Sequence, residues 1–258
     1  MASPQIFNPF KYTSPLAIPN CVAPSAFVKS SHQFNVAVSP NENDKFVLLS
    51  FSYTNVRSWY IDGTSIYDQA VPNLTSSGAK ECRGARLGLR IINTTKADEV
   101  SGSVRVVNIR DPLDLTFAST TAIDTASRDK LLALAQFDGR TIDVSAHNVA
   151  MQPLDTFCHP VNILKMAATK AFLLKGGSTT EAVIYNFSEL DSGMSQVLIN
   201  FRGGSAAATY ACHVVSHDYL RFEDGTLLAG MHRDPPQNHQ STVEAMRQAY
   251  AKPEPLRA

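Results

Sequence analysis

The sequence predicts an all-β fold, a single eight-stranded antiparallel jelly roll of two facing sheets with one or two short helices. Three observations carry that expectation. Short runs of Val, Ile, Leu and Phe alternate with polar or small residues; Gly, Asp and Ser punctuate them; and one interior stretch has helical character. At 258 residues the chain can form one large β-domain, burying about 75% of its unfolded surface without disulfide support.

Residues 1–30 are rich in Pro, Ser and Asn and lack periodicity, which predicts an extended arm without a core of its own. Residues 31–232 form the sandwich domain and 233–258 a tail with a short helix. The periodic part opens with FNVAVSPNENDKFVLLSFSY, where Phe34, Val36 and Val38 alternate, PNEND turns, and Phe46 to Tyr53 resumes. These two runs are expected to be the first antiparallel pair. The clearest alternation is ARLGLRIIN, with Leu87, Leu89 and Ile91 on one face and Arg86, Gly88 and Arg90 on the other. After a polar loop, Val104, Val106 and Asn108 alternate with Arg105, Val107 and Ile109, and each such strand is expected to have one apolar and one wetter face.

TASRDKLLALAQF reads as a helix capped by Asp124 or Thr125 and stopped by Asp138-Gly139. Strand patterns return in TIDVSAH, VNILKM, KAFLL, EAVIYNF, SQVLINF and TYACHVVSHDYLRF, separated by Gly176-Gly177, Asp191-Ser192-Gly193 and Arg202-Gly203-Gly204. HRDPPQNHQ ends the sheet. STVEAMRQAYAK then reads as a helix with Ser241 and Glu244 as a capping box and Val243, Met246 and Tyr250 on one stripe.

Lysine plus arginine (23) equals aspartate plus glutamate (23), so whole-molecule attraction to nucleic acid or lipid is excluded and self-association meets little repulsion. Cys21, Cys82, Cys158 and Cys212 are scattered and read as small buried hydrophobes of a reducing compartment. The N-terminus has no signal-peptide pattern and no window approaches a membrane span, so synthesis in the cytosol and no membrane partner are expected. The sequons at Asn73, Asn93 and Asn186 are read as chance matches.

Cys212-His213-Val214-Val215-Ser216-His217 looks like a reactive cluster. As a strand, however, it separates the two histidines by about 13 Å and turns Cys212 away from both, so a shared zinc is not expected. A cysteine nucleophile would need a cross-pair such as Cys158 with His213 or His217; a cysteine hydrolase is a lesser alternative. A lectin-like binding sandwich would need an aromatic cluster, for which Trp59 and Tyr60 are the candidates, better read as packing residues. Asp111 and Asp114, with Asp98, Glu99 or Asp124, could supply oxygen ligands for calcium at a subunit contact, although turn residues are the simpler reading. No other cofactor is expected. Lys80, Arg83, Arg86, Arg90, Lys96, Arg105 and Arg110 gather in one region, and Arg86 and Arg90 share a face that could meet a neighbour's carboxylates.

The order ARLGLRIINTT, GSVRVVNI, TASRDKLLALA, GRTIDVSAHNVAMQPLDTFCHP and QVLINFRGGSAAATYACHVVSHDYLRFEDGTLLAGMHRDPP resembles the single jelly-roll capsid proteins of small icosahedral viruses. The nodavirus-like shell domains, shared by several RNA viruses and by single-stranded DNA viruses of diatoms, are the nearest in texture. The resemblance spans about residues 31–250 and implies a non-enzymatic structural protein that self-assembles in many copies around a viral genome, made in host cytoplasm and located in the virion. Where the family carries an arginine-rich arm, this chain has Lys11 and Lys29, so genome contact is expected to be weak and to fall to Lys11, Lys29, Arg247 and Lys252. Arg86, Arg90, Asp111, Asp114, His213 and His217 are the expected inter-subunit contacts, and protonation of the two histidines near pH ~6.5 would loosen the shell.

Overall fold

A computed structural model describes residues 4–18, 23–51, 56–70, 79–96, 99–110, 113, 115, 117–119, 121–136, 141–162, 172–173, 193–237, 240, 242–244 and 247. In chain order the strands are β1 (Ala26–Val38), β2 (Lys45–Leu49), β3 (Val56–Asp62), β4 (Ser65–Ala70), β5 (Ala79–Asn93), β6 (Ser103–Ile109), β7 (Phe117–Ser119) and β8 (Ala122–Ile123). They continue with β9 (Thr141–Ser145), β10 (Leu154–Phe157), β11 (Phe172–Leu173), β12 (Gln196–Arg202) and β13 (Ala208–Phe222). The helices are α1 (Thr125–Gln136) and α2 (Ala146–Met151).

Eight strands make the jelly roll. One sheet runs β1-β13-β5-β10, and the other contains β2-β12-β6-β9, so each sheet interleaves strands from both halves of the chain. The β3–β4 hairpin and the short β7 and β8 extend the second sheet beyond β2, and β11 pairs with β5. Between the sheets lie Val36, Val47, Leu87, Leu89, Ile91, Val106, Ile199, Phe201, Tyr210, Cys212 and Val214, all buried.

The first predicted pairing is corrected. β1 pairs with β13 from Ala26↔Leu220 to Val38↔Ala208, whereas β2 lies between β3 and β12 in the other sheet. All of β2 is buried, so it is a central strand that needs partners on both edges. The PNEND link therefore crosses between sheets, with Asn41 at φ 59 and its N–H donating to the Gly204 carbonyl at 2.9 Å.

The expected wetter face also fails for the second sheet. Phe46, Leu48, Trp59, Ile61, Val107, Ile109 and Leu198 form a second core outside it, sealed by Leu131 and Ala135 of α1. Both faces of β2, β6 and β12 are thus apolar. The strand expected over TIDVSAH stops at Ser145, whose Oγ accepts the Asn148 N–H at 3.2 Å and caps α2. β1 begins at Ala26, inside the segment read as an arm. Val161 and Asn162 are not in a strand, and the rest of VNILKM, EAVIYNF and Gly176-Gly177 lie outside the described residues. In the tail Gln240, Thr242 to Glu244 and Arg247 are helical, while Ser241, Met246, Tyr250 and Lys252 lie outside the described residues.

Candidate arm-docking surface

Strand pleating places Arg86, Gly88 and Arg90 on the face of β5 that points away from the inter-sheet core. Across the ladder from β13, His217 meets Arg86, Val215 meets Gly88 and His213 meets Arg90. These six residues form the floor on which residues 5–18 lie. The arm is anchored by Phe7, Leu16 and Ile18, each nearly fully buried against Ala85 and Tyr219. Gly88 permits the close approach, because a Cβ there would stand 2.8 Å from Pro9 Cγ and 3.0 Å from the Thr156 carbonyl oxygen.

Polar groups fix the arm's path. Arg86 is only 2% exposed; its Nε donates to the Ile6 carbonyl at 2.6 Å and its Nη1 to the Ser14 carbonyl at 2.7 Å. The Tyr219 hydroxyl donates to the Leu16 carbonyl at 2.6 Å, and the buried Thr242 hydroxyl donates to the Ala17 carbonyl at 2.6 Å. The tail helix thus holds the far end of the arm. Asn8 Oδ1 accepts the Phe10 N–H at 2.9 Å, turning the chain so that Phe10 faces Arg90 at 4.5 Å from its ring centroid.

The two arginines differ in their electrostatics. Arg90 makes a two-pronged bond to Asp155, Nε to Oδ1 at 2.7 Å and Nη2 to Oδ2 at 2.9 Å, and that bond raises its pKa above the ordinary value. Arg86 has carbonyls and an imidazole instead of a carboxylate, and burial pushes its pKa down to about 10. Its Nη1 also lies 3.3 Å from His217 Nδ1. His217 is 0% exposed, and burial followed by the charges of Arg86 and Lys29 pushes its pKa down to about 4. His213 shifts in the same direction, by burial and then Arg90 and Lys29. Protonation of His217 near the ordinary histidine value is therefore corrected to a markedly more acidic range.

Arg86, Arg90, His213 and His217, grouped in the sequence as inter-subunit contacts, are brought together here, but beneath or beside the chain's own arm. Asp111 and Asp114, the other two, lie outside the described residues, as does Lys252. Lys11, Lys29 and Arg247 are exposed. Among the described residues no group of three or more metal-ligating side chains occurs, and no helix is long and apolar enough to cross a membrane.

The reactive-cluster expectations resolve through the same pleat. Cys212 and Cys158 are buried in the inter-sheet core, on the side opposite His213 and His217, so the cross-pairs do not form. Burial pushes the Cys212 thiol pKa up, away from the nucleophilic thiolate. Trp59 is fully buried in the outer core and Tyr60 stacks with Tyr67, in keeping with packing roles. Asn93 is also buried, its side chain donating to the Ala146 carbonyl at 3.2 Å and accepting the Thr95 N–H at 2.9 Å.

What the sequence reading missed is that the arm docks on its own sheet. The available signal was Gly88, an isolated glycine in the strongest strand of the chain, which marks a close backbone approach.

No protein-family model and no curated protein matches this chain. Solved structures do match. The infectious bursal disease virus VP2 subviral particle is similar at 8% identity and a TM-score of 0.58, covering 96% of this chain and 93% of that one. The Gt strain of infectious bursal disease virus is similar at 8% identity and a TM-score of 0.54, covering 97% and 94%. The decameric BFDV capsid protein has 15% identity and a TM-score of 0.40 over 76% and 98%. The first two fix the likeness at the level of fold, the jelly roll of viral capsid structures.

Proposed function

We propose that this chain is the coat protein of a small icosahedral virus, self-assembling into a shell around the viral genome. The observation that carries the reading is the extent of the fold likeness: two interleaved sheets whose match to the VP2 subviral particle spans 96% of the chain. The outer core of the second sheet supports the same reading, since an apolar layer on both sides of β2, β12 and β6 gives the stiff scaffold that repeated subunit contacts require. The role is structural and non-enzymatic. Contact with packaged nucleic acid is weak and non-specific, through exposed Lys11, Lys29 and Arg247, with Lys252 a further candidate.

Electron microscopy and sedimentation of the purified full chain test this directly. Uniform hollow particles are expected. A stable monomer across protein concentration and salt would overturn the reading.

A further inference from the structure

The first 41 residues contain no aspartate or glutamate, so neither the arm nor β1 can bring a carboxylate to the Arg86–His217 pair. Among the described residues, the other neighbours do not bring one either. On β5, Glu81 lies opposite Arg221 at the far end of the strand; on β10, Asp155 is engaged by Arg90. On β13, Asp218 points to the opposite face and accepts the Ser216 hydroxyl at 2.8 Å. Among the described residues, the charged groups that face His217 are Arg86 from β5 and Lys29 from β1, both cations, and the arm adds only Lys11. Phe27 closes the remaining side with its ring edge-on at 5.5 Å between centroids.

Hydrogen-bond direction fixes the state of the ring. A guanidinium only donates, so His217 Nδ1 accepts from Arg86 and the neutral ring carries its proton on Nε2, which is buried with no partner among the described residues. A proton added at Nδ1 turns that acceptor into a donor aimed at another donor. It also sets two cations side by side with no anion near them among the described residues. The same guanidinium holds the Ile6 and Ser14 carbonyls, so whatever displaces it unfastens the arm at two points.

We propose that His217 and Arg86 form an acid-operated latch: protonation of His217 displaces the Arg86 guanidinium and releases residues 5–18 from the sheet. The released segment carries Phe7, Leu16 and Ile18, so acid converts a buried anchor into an exposed apolar segment. The device lies within one chain and does not depend on the shell reading.

Hydrogen exchange of the full chain, corrected for intrinsic rates and run from pH ~7 to pH ~3.5, tests the latch. The expected result is that arm amides lose protection by about tenfold or more relative to β12 in the acid range, and that His217→Gln abolishes the loss. His213→Gln, on the same face but beside the neutralised Arg90, is expected to keep the wild-type transition. Equal acid loss in wild type and His217→Gln, or a wild-type arm protected throughout, would overturn the proposal. So would abolition of the transition by His213→Gln alone. Should His217→Gln fail to fold, NMR titration of the wild type decides: the His217 ring and the Phe10 and Tyr12 resonances must share one midpoint, and separate midpoints sink the latch.

Discussion

Arg86 is a buried cation whose partners are two arm carbonyls and an imidazole, which makes it more a positioning residue than a stabiliser of charge. Replacing it by methionine keeps much of the volume but leaves the Ile6 and Ser14 carbonyls without a donor. Charge-assisted bonds of this kind are worth about 1.5–3 kcal/mol each, so Arg86→Met is expected to lower unfolding free energy by about 3 kcal/mol in urea titration. The sign for His217 follows from its lowered pKa. The unfolded chain takes up a proton near the ordinary 6.5 while the folded chain resists until about 4, so stability is full above that upper value, falls between the two and levels off below. The difference in urea stability between wild type and His217→Gln should change across that window by on the order of 3 kcal/mol or less.

At the scale of elements, two glycines with similar dihedrals separate backbone conformation from space. Gly102 at φ +95 and Gly225 at φ +89 both sit in the left-handed region. A Cβ at Gly102 would stand 2.2 Å from the Arg202 carbonyl oxygen, whereas one at Gly225 meets nothing within 4 Å. Gly225→Ala is therefore expected to cost about 1 kcal/mol from strain alone. Gly102→Ala should cost several times more, because the link between β5 and β6 packs on the end of β12 and the blocking atom is backbone; thermal melts of the two variants check the contrast. Ser145→Ala removes the cap of α2 and should cost about 0.5–2 kcal/mol, read in the same melts.

The alternation in β5, β6, β12 and β13 was legible because each packs one face on the inter-sheet core, and α1 was legible because its propensity is continuous. The partner of β1 was not, since periodicity reports which face is buried and says nothing about which distant strand supplies the hydrogen bonds. α2 was hidden by its brevity behind Ser145. The site shows the same division. Strand parity correctly separated Cys212 from His213 and His217 and put Arg86 and Arg90 on one face. What covers that face depends on residues 5–18 folding back, which their composition alone does not encode.

For the molecule as a whole, the jelly-roll order makes the central strand of the first sheet also its last. β13 supplies a hydrogen-bonded partner to β1 on one side and to β5 on the other. A chain ending at Arg202, without β13, should fail to give cooperative unfolding or dispersed NMR signals, even though it retains β2, β6, β9 and β12 in full. Folding of the intact chain should be slow for its size, in the millisecond to second range or slower, because sheets dominated by non-local pairing close their loops first; stopped-flow refolding checks this.

The pairing of Ala26 with Leu220 and of Val38 with Ala208 has a consequence for synthesis. A chain emerging from the ribosome exposes β1 long before its only described strand partner exists, and β1 must wait with its hydrogen-bonding edge open. The sheet that carries the arm closes only after β13 has cleared the exit tunnel. Translation that stops early therefore yields a chain unable to present the arm-docking face, and the topology itself screens incomplete copies out of any assembly that uses that face.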